Sequence, residues 1–154
     1  ADSRTQIEHF KSVCLKPNEK ECENFYHRGY AGIGWHEDFE GHPAWGLAHY
    51  RSGRPVFCTR GNAGIALAFP DEKLGVPTSI PAYPVSGPID IVGAGDSTSA
   101  GIACAMAAGA THEQAAAFGC LIASITIQQL GTTGSASPEQ VRQRWRQVQG
   151  ERRA

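Results

Sequence analysis

Asp90-Ile91-Val92-Gly93-Ala94-Gly95-Asp96 is the stretch on which the reading of this chain turns. Two glycines flank an alanine, and a run of small residues from Ser97 to Ala108 follows. Low side-chain bulk of that kind suits a helix packed closely against a sheet. A glycine turn that opens a helix leaves main-chain N–H groups unpaired at the positive end of the helix dipole, which favours phosphate. Between Leu74 and Val141 the sequence holds no Lys or Arg. An anion bound in this region is therefore bound by backbone. Asp96, directly after the turn, would face the same ligand and accept a proton from an attacking hydroxyl, as phosphoryl transfer requires. Taken alone, the tetrad also reads as a tight turn with Asp96 capping the helix. It is not a dinucleotide fingerprint, because Thr98 stands where the third glycine of G-x-G-x-x-G would fall, and it is not a P-loop, because no Lys follows.

Downstream of the stretch, Thr111 with Gln114 forms a capping box, apolar residues at 115, 118, 122 and 125 recur with helical spacing, and Gly131 supplies a stop. Ser137-Pro138-Glu139-Gln140 repeats the start signal, with Val141, Trp145 and Val148 on one face. Five arginines crowd the last thirteen residues, and 150–154 is expected to fray. Upstream, Pro55–Thr59 and Ile65–Phe69 are strand-like runs joined by the glycine-bearing loop Arg60–Gly64, a hairpin pattern. Val76–Val85 carries three prolines and can be extended only at an edge or surface. Ser12–Leu15 reads as a short strand turning at Lys16-Pro17-Asn18, and Glu19–Glu23 as a polar helix start. Phe25–Ser52 shows no clean period and is expected to be helix and loop.

The whole has 154 residues, with 41% hydrophobic and 19% charged, which predicts one globular domain. Eighteen glycines and nine prolines follow no period, so the chain is turn-rich rather than collagen-like. A net charge of −1 gives no field to hold a polyanion, so no nucleic-acid partner is expected. No apolar run is long enough to span a membrane. The five cysteines form no C-x-x-C pair and cannot close evenly into disulfides, which predicts a reducing, cytoplasmic setting. His27, His36, His42 and His49 lack metal-ligand spacing and read as surface or packing histidines, and Arg60 as a solvated loop side chain. The sole methionine is Met106, so the chain is expected to be a piece of something longer.

Asp90-x-x-Gly93-Ala94-Gly95-Asp96-Ser97-x-x-Ala100-Gly101 resembles the C-terminal signature of the ribokinase-like (phosphofructokinase B type) sugar kinases. Three further pieces resemble that family in the same order. Asn18-x-x-Glu21 is similar to its Asn-x-x-Glu element, Thr59-x-Gly61 with Gly64 to its Thr-x-Gly-x-x-Gly turn, and Gly131–Gly134 to its post-helix loop. The resemblance implies an α/β fold, a mostly parallel sheet flanked by helices, here as the C-terminal half of the family fold with a hairpin. It covers most of the chain, 1–154 being read as one nucleotide-binding and catalytic portion. Ala1–Arg4, Lys16–Glu21 and Leu130–Gly134 look most like bacterial heptose-phosphate kinases.

The implied activity is ATP-dependent phosphoryl transfer to a hydroxyl of a sugar or sugar phosphate, with Mg²⁺ and in some members K⁺. Asp96 would be the general base, and the amides of Gly93, Ala94 and Gly95 would hold the transferring phosphate. Asn18 and Glu21 would orient nucleotide phosphates and the magnesium shell through water, although the pair also reads as a helix start. Thr59, Gly61 and Gly64 would lie against the nucleotide, with a plain hairpin turn as the alternative. Asp90, Val92, Thr126, Gln129, Gly131 and Ser135 fall where family members bind a monovalent cation. Gly119-Cys120 departs from the usual Ala-Asn pair of the family, near the adenine of the nucleotide. A homodimer is a further expectation. The rival readings are a non-catalytic nucleotide-binding or oligomerisation fragment and a family kinase for a nucleoside or vitamin alcohol.

Overall fold

The structure is a computed structural model that describes residues 6–29, 41–72 and 75–151. The chain divides into two compact units, Ala1–Gly61 with Ile65–Ile80, and Asn62–Gly64 with Pro81–Ala154.

In the first unit, strands β1 (Val56–Thr59), β2 (Ile65–Ala68) and β3 (Thr78–Ile80) form an antiparallel sheet in that order. The loop between β1 and β2 is the one expected at Arg60–Gly64. Gly61 and Gly64 take left-handed φ of 55° and 83° around a 3-10 turn at Gly61–Ala63, a conformation that glycine adopts without Cβ strain. Thr78–Ile80 lies at the sheet edge, where the flanking prolines are tolerated. The expected strand at Ser12–Leu15 starts later. Ser12 has a φ of 59°, and only Leu15 and Asn18 pair with Val56 and Thr59, in parallel. The described strands are thus not mostly parallel. Short connections can join only antiparallel neighbours, and the single parallel pairing is spanned by helical crossover chain.

That crossover holds helix α1 (Glu19–Gly29), helix α2 (Pro43–Leu47) and a π-helical turn, Ala48–Ser52. Pro43 opens α2, and His42 caps it, its Nδ1 accepting from the Ala44 amide at 3.1 Å. Burial first, then the charge of Arg60, lowers the His42 pKa, a shift in favour of the neutral ring that can accept such a bond. His49 stacks on Trp45 at 4.7 Å and bonds the Pro70 carbonyl, while Trp45 Nε1 donates to the Glu72 carbonyl. His27 and His36 fall outside the described side chains. Leu15, Cys22, Phe25, Trp45, Leu47, Val56 and Cys58 share one apolar core. Arg60 is not simply solvated, since its guanidinium donates to Ser79 Oγ at 2.9 Å.

The second unit is helical. Helix α3 spans Ala94–Ala107, helix α4 His112–Thr126 and helix α5 Pro138–Glu151. The capping box at Thr111 and Gln114 forms as expected, and Ser137 with Gln140 makes the same reciprocal pair ahead of α5. Helix α4 stops at Thr126, before Gly131, where the amides of Gln128 and Gln129 bond three residues back, to Ile125 and Thr126, instead of four. α3 and α4 cross at Gly101 and Gly119, where a Cβ on Gly119 would lie 2.8 Å from Ile102 and 3.2 Å from the Thr98 carbonyl. On α5, Val148 is buried while Trp145 stays 44% exposed. Arg144 donates to Ser124 Oγ at 3.2 Å and to the Pro84 carbonyl. No helix of the described residues is long and apolar enough to cross a membrane.

Candidate active site

Gly93, not Asp96, is the N-cap of α3, and its φ of 78° is what turns the chain into the helix. Asp96 sits within the first turn, exposed, and its carboxylate makes no hydrogen bond among the described residues. The expectation of three inward amides needs one correction. The Ala94 N–H donates to the Ile91 carbonyl at 3.1 Å, a turn closed by the same glycine hinge. The amides of Gly93, Gly95 and Asp96 have no main-chain acceptor among the described residues. The carbonyls behind them are well served. Ser97 Oγ donates to Gly93 at 2.7 Å, Thr98 Oγ1 to Ala94 at 2.7 Å and Ser99 Oγ to Gly95 at 3.0 Å. These three hydroxyls escaped the sequence reading, although their place four residues after each carbonyl is the signal that finds them.

The residues expected around a monovalent cation are tied in separate pairs. Asp90 Oδ1 accepts from Val92 N and Oδ2 from Gly131 N, each at 3.0 Å, and both bonds hold its carboxyl below the usual range. Gln129 and Ser135 exchange two bonds, Nε2 to carbonyl at 2.7 Å and amide to Oε1 at 3.1 Å, closing the loop after α4. Thr126 Oγ1 lies 3.1 Å from Ser97 Oγ. Gly134 fits only because it lacks a Cβ, which would come within 2.5 Å of the Thr126 carbonyl. Gly93 likewise has Thr133 where its Cβ would be, at 2.7 Å. The turn before α3 and the loop after α4 are therefore held together at two points, Asp90 with Gly131 and Gly93 with Thr133.

In the first unit, Asn18 and Glu21 form a capping box. Asn18 N donates to Glu21 Oε2 and Glu21 N to Asn18 Oδ1, both at 2.9 Å, which is the helix-start alternative in full. Asn18 also pairs with Thr59, whose hydroxyl donates to the Pro17 carbonyl at 3.3 Å. Both residues thus end adjacent parallel segments, the edge at which α/β sheets bind ligands. Gly61 follows with open space where a Cβ would stand. Gly64 closes the same loop with its left-handed backbone. Among the described residues no three His, Cys, Asp or Glu side chains gather as a metal site.

A family model described as pfkB family carbohydrate kinase matches residues 7–140. The chain belongs to the pfkB family of carbohydrate kinases. Its fold is ribokinase-like. Ribokinase from Thermotoga maritima matches with a TM-score of 0.69 and 25% identity over 86% of this chain and 42% of that one. Arabidopsis thaliana ribokinase, complexed with ribose and ATP, matches with a TM-score of 0.68 and 25% identity over 90% and 41%. Adenosine kinase from Sinorhizobium meliloti gives a TM-score of 0.68 and 23% identity over 92% and 39%. The chain thus spans about two fifths of the structures it matches. No curated protein matches it significantly. The structures it resembles include a ribokinase and an adenosine kinase, so the likeness leaves the acceptor class open.

Proposed function

We propose that this pfkB-family chain supplies the nucleotide-binding and catalytic-base portion of an ATP-dependent kinase for a sugar or sugar phosphate. The observation that carries the reading is the first turn of α3, where amides and an Asp96 carboxylate with no partner among the described residues sit together without any cationic side chain nearby in sequence. The amides of Gly93, Gly95 and Asp96, with Ala94 released from its turn, hold the oxygens of the transferring phosphoryl group. The acceptor hydroxyl oxygen forms a bond to the γ-phosphorus as the bond to the β,γ-bridging oxygen breaks, and the hydroxyl proton passes to Asp96. ADP leaves with the bridging oxygen.

Asn18 and Glu21 fit a role near magnesium, because Glu21 retains a carboxylate oxygen outside the capping box and Mg²⁺ accepts such ligands through water. The ion supplies charge neutralisation on the nucleotide phosphates. Thr59, Gly61 and Gly64 line the nucleotide side. Asp90, Val92, Thr126, Gln129, Gly131 and Ser135 offer an oxygen-only set with an ionised carboxylate, which suits a hard monovalent cation such as K⁺. The likeness of Ala1–Arg4, Lys16–Glu21 and Leu130–Gly134 to heptose-phosphate kinases supports a sugar phosphate over a free sugar. Free thiols at all five cysteines support a reducing, cytoplasmic setting.

The test is phosphate transfer from ATP and Mg²⁺ to panels of sugars, sugar phosphates and nucleosides, run beside calorimetry of ATP binding. Asp96→Asn is expected to lower turnover by about two to four orders of magnitude and to leave ATP affinity unchanged. Undiminished turnover in that variant overturns the role of Asp96. ATP binding with no transfer by the wild type marks a non-catalytic nucleotide module instead.

A further inference from the structure

We infer that the Thr126 hydroxyl, acting through Ser97, is a positioning group that sets the direction of Asp96; the role in catalysis rests on the kinase reading above. Ser97 has one hydroxyl proton, and the 2.7 Å contact with the Gly93 carbonyl takes it. The 3.1 Å contact between Ser97 Oγ and Thr126 Oγ1 is then donated by Thr126. A relay runs from Thr126 through Ser97 to Gly93, from the last turn of α4 to the hinge of α3.

Thr126 is a firm anchor. It is 4% exposed, Gly134 closes against its backbone with no space to spare, and its one hydroxyl proton goes to Ser97 at 3.1 Å in preference to the more distant Ala123 carbonyl at 3.3 Å. Asp96, by contrast, has no hydrogen-bonding partner of its own among the described residues, so its direction is inherited from the turn that carries it. Elsewhere α3 and α4 meet closely at Gly101, against Ile122, and at Gly119, against Ile102, which fixes the distance between the helices. The directional hydrogen bond adds a constraint at the first turn itself. Ser97 follows Asp96 by one residue, about 1.5 Å along the helix axis, so displacement at Ser97 reaches the carboxylate undiminished.

The experiment compares Thr126→Val, Thr126→Ser, Ser97→Ala and the Thr126→Val/Ser97→Ala double variant. Thr126→Val is expected to lower kcat about tenfold while KM for ATP changes by less than about twofold. Thr126→Ser, which keeps the hydroxyl, restores kcat, and the double variant is no worse than Ser97→Ala alone. Full kcat in Thr126→Val, equal loss in Thr126→Ser, or additive losses in the double variant overturn the inference. Amide hydrogen exchange is measured on the same proteins. The Ser97 amide, bonded to the Gly93 carbonyl at 3.0 Å, is expected to exchange faster in Thr126→Val and at the wild-type rate in Thr126→Ser. Unchanged exchange in Thr126→Val also overturns it. Absence of transfer by the wild type to any acceptor defeats the kinase reading alone, and exchange still decides whether Thr126 holds the turn.

Discussion

In the β1–β2 hairpin, Phe57, Ile65 and Leu67 fill the interior with side-chain volume, whereas α3 and α4 approach through Gly101 and Gly119 with almost nothing between their backbones. The two regions fail in opposite ways. Removing atoms opens a cavity in the first, and adding them forces apart the second. The second region carries the proposed chemistry. A site that depends on where main-chain amides point gains from close backbone contact, because backbones in contact have few alternative arrangements.

The contrast can be broken most forcefully at Phe57, which is 1% exposed. Phe57→Ala is expected to cost about 3–5 kcal/mol of stability, read from urea denaturation. A loss under about 1 kcal/mol would show that the hairpin core is not held by volume. Gly119→Ala comes next. Alanine is the better helix former by about 1 kcal/mol, yet its methyl would press on Ile102 and Thr98, so a net loss of about 1–2 kcal/mol is expected. A gain in stability would remove close approach as the principle of the α3–α4 pair. Asn18→Ala deletes a cap and is expected to cost about 1 kcal/mol by the same measurement.

The smallest effect concerns acid. Two amide bonds depress the Asp90 pKa in the folded state, so the carboxylate form contributes stability that is complete above its unfolded pKa of about 4. That contribution is lost as pH falls through the lower folded value. Asp90→Asn is expected to flatten the stability profile only below about pH 4 and to leave it parallel to the wild type at neutral pH. A difference in slope near pH 7 would contradict this assignment.

Local signals were legible. The capping boxes at Thr111 and Ser137 and the glycine loop between β1 and β2 depend on residues three or four apart, and each formed where its residues stand. The α/β, ribokinase-like class followed from four motifs in order. Less legible was whatever distant residues decide. Strand direction depended on how the short connections let β2 and β3 return, and the end of α4 on a turn that packs Gly134 against Thr126. The tie of Arg60 to Ser79 spans nineteen positions. Spacing rules carry no information about bonds of that reach.

The most direct measurement is the response of backbone amide resonances to ATP and Mg²⁺. Gly95 and Asp96, whose N–H groups have no acceptor among the described residues, are expected to move downfield as they bond phosphate oxygens, and Gly93 with them. Nucleotide binding that leaves these amides unmoved while shifting lysine or arginine side chains would contradict main-chain recognition of the phosphate.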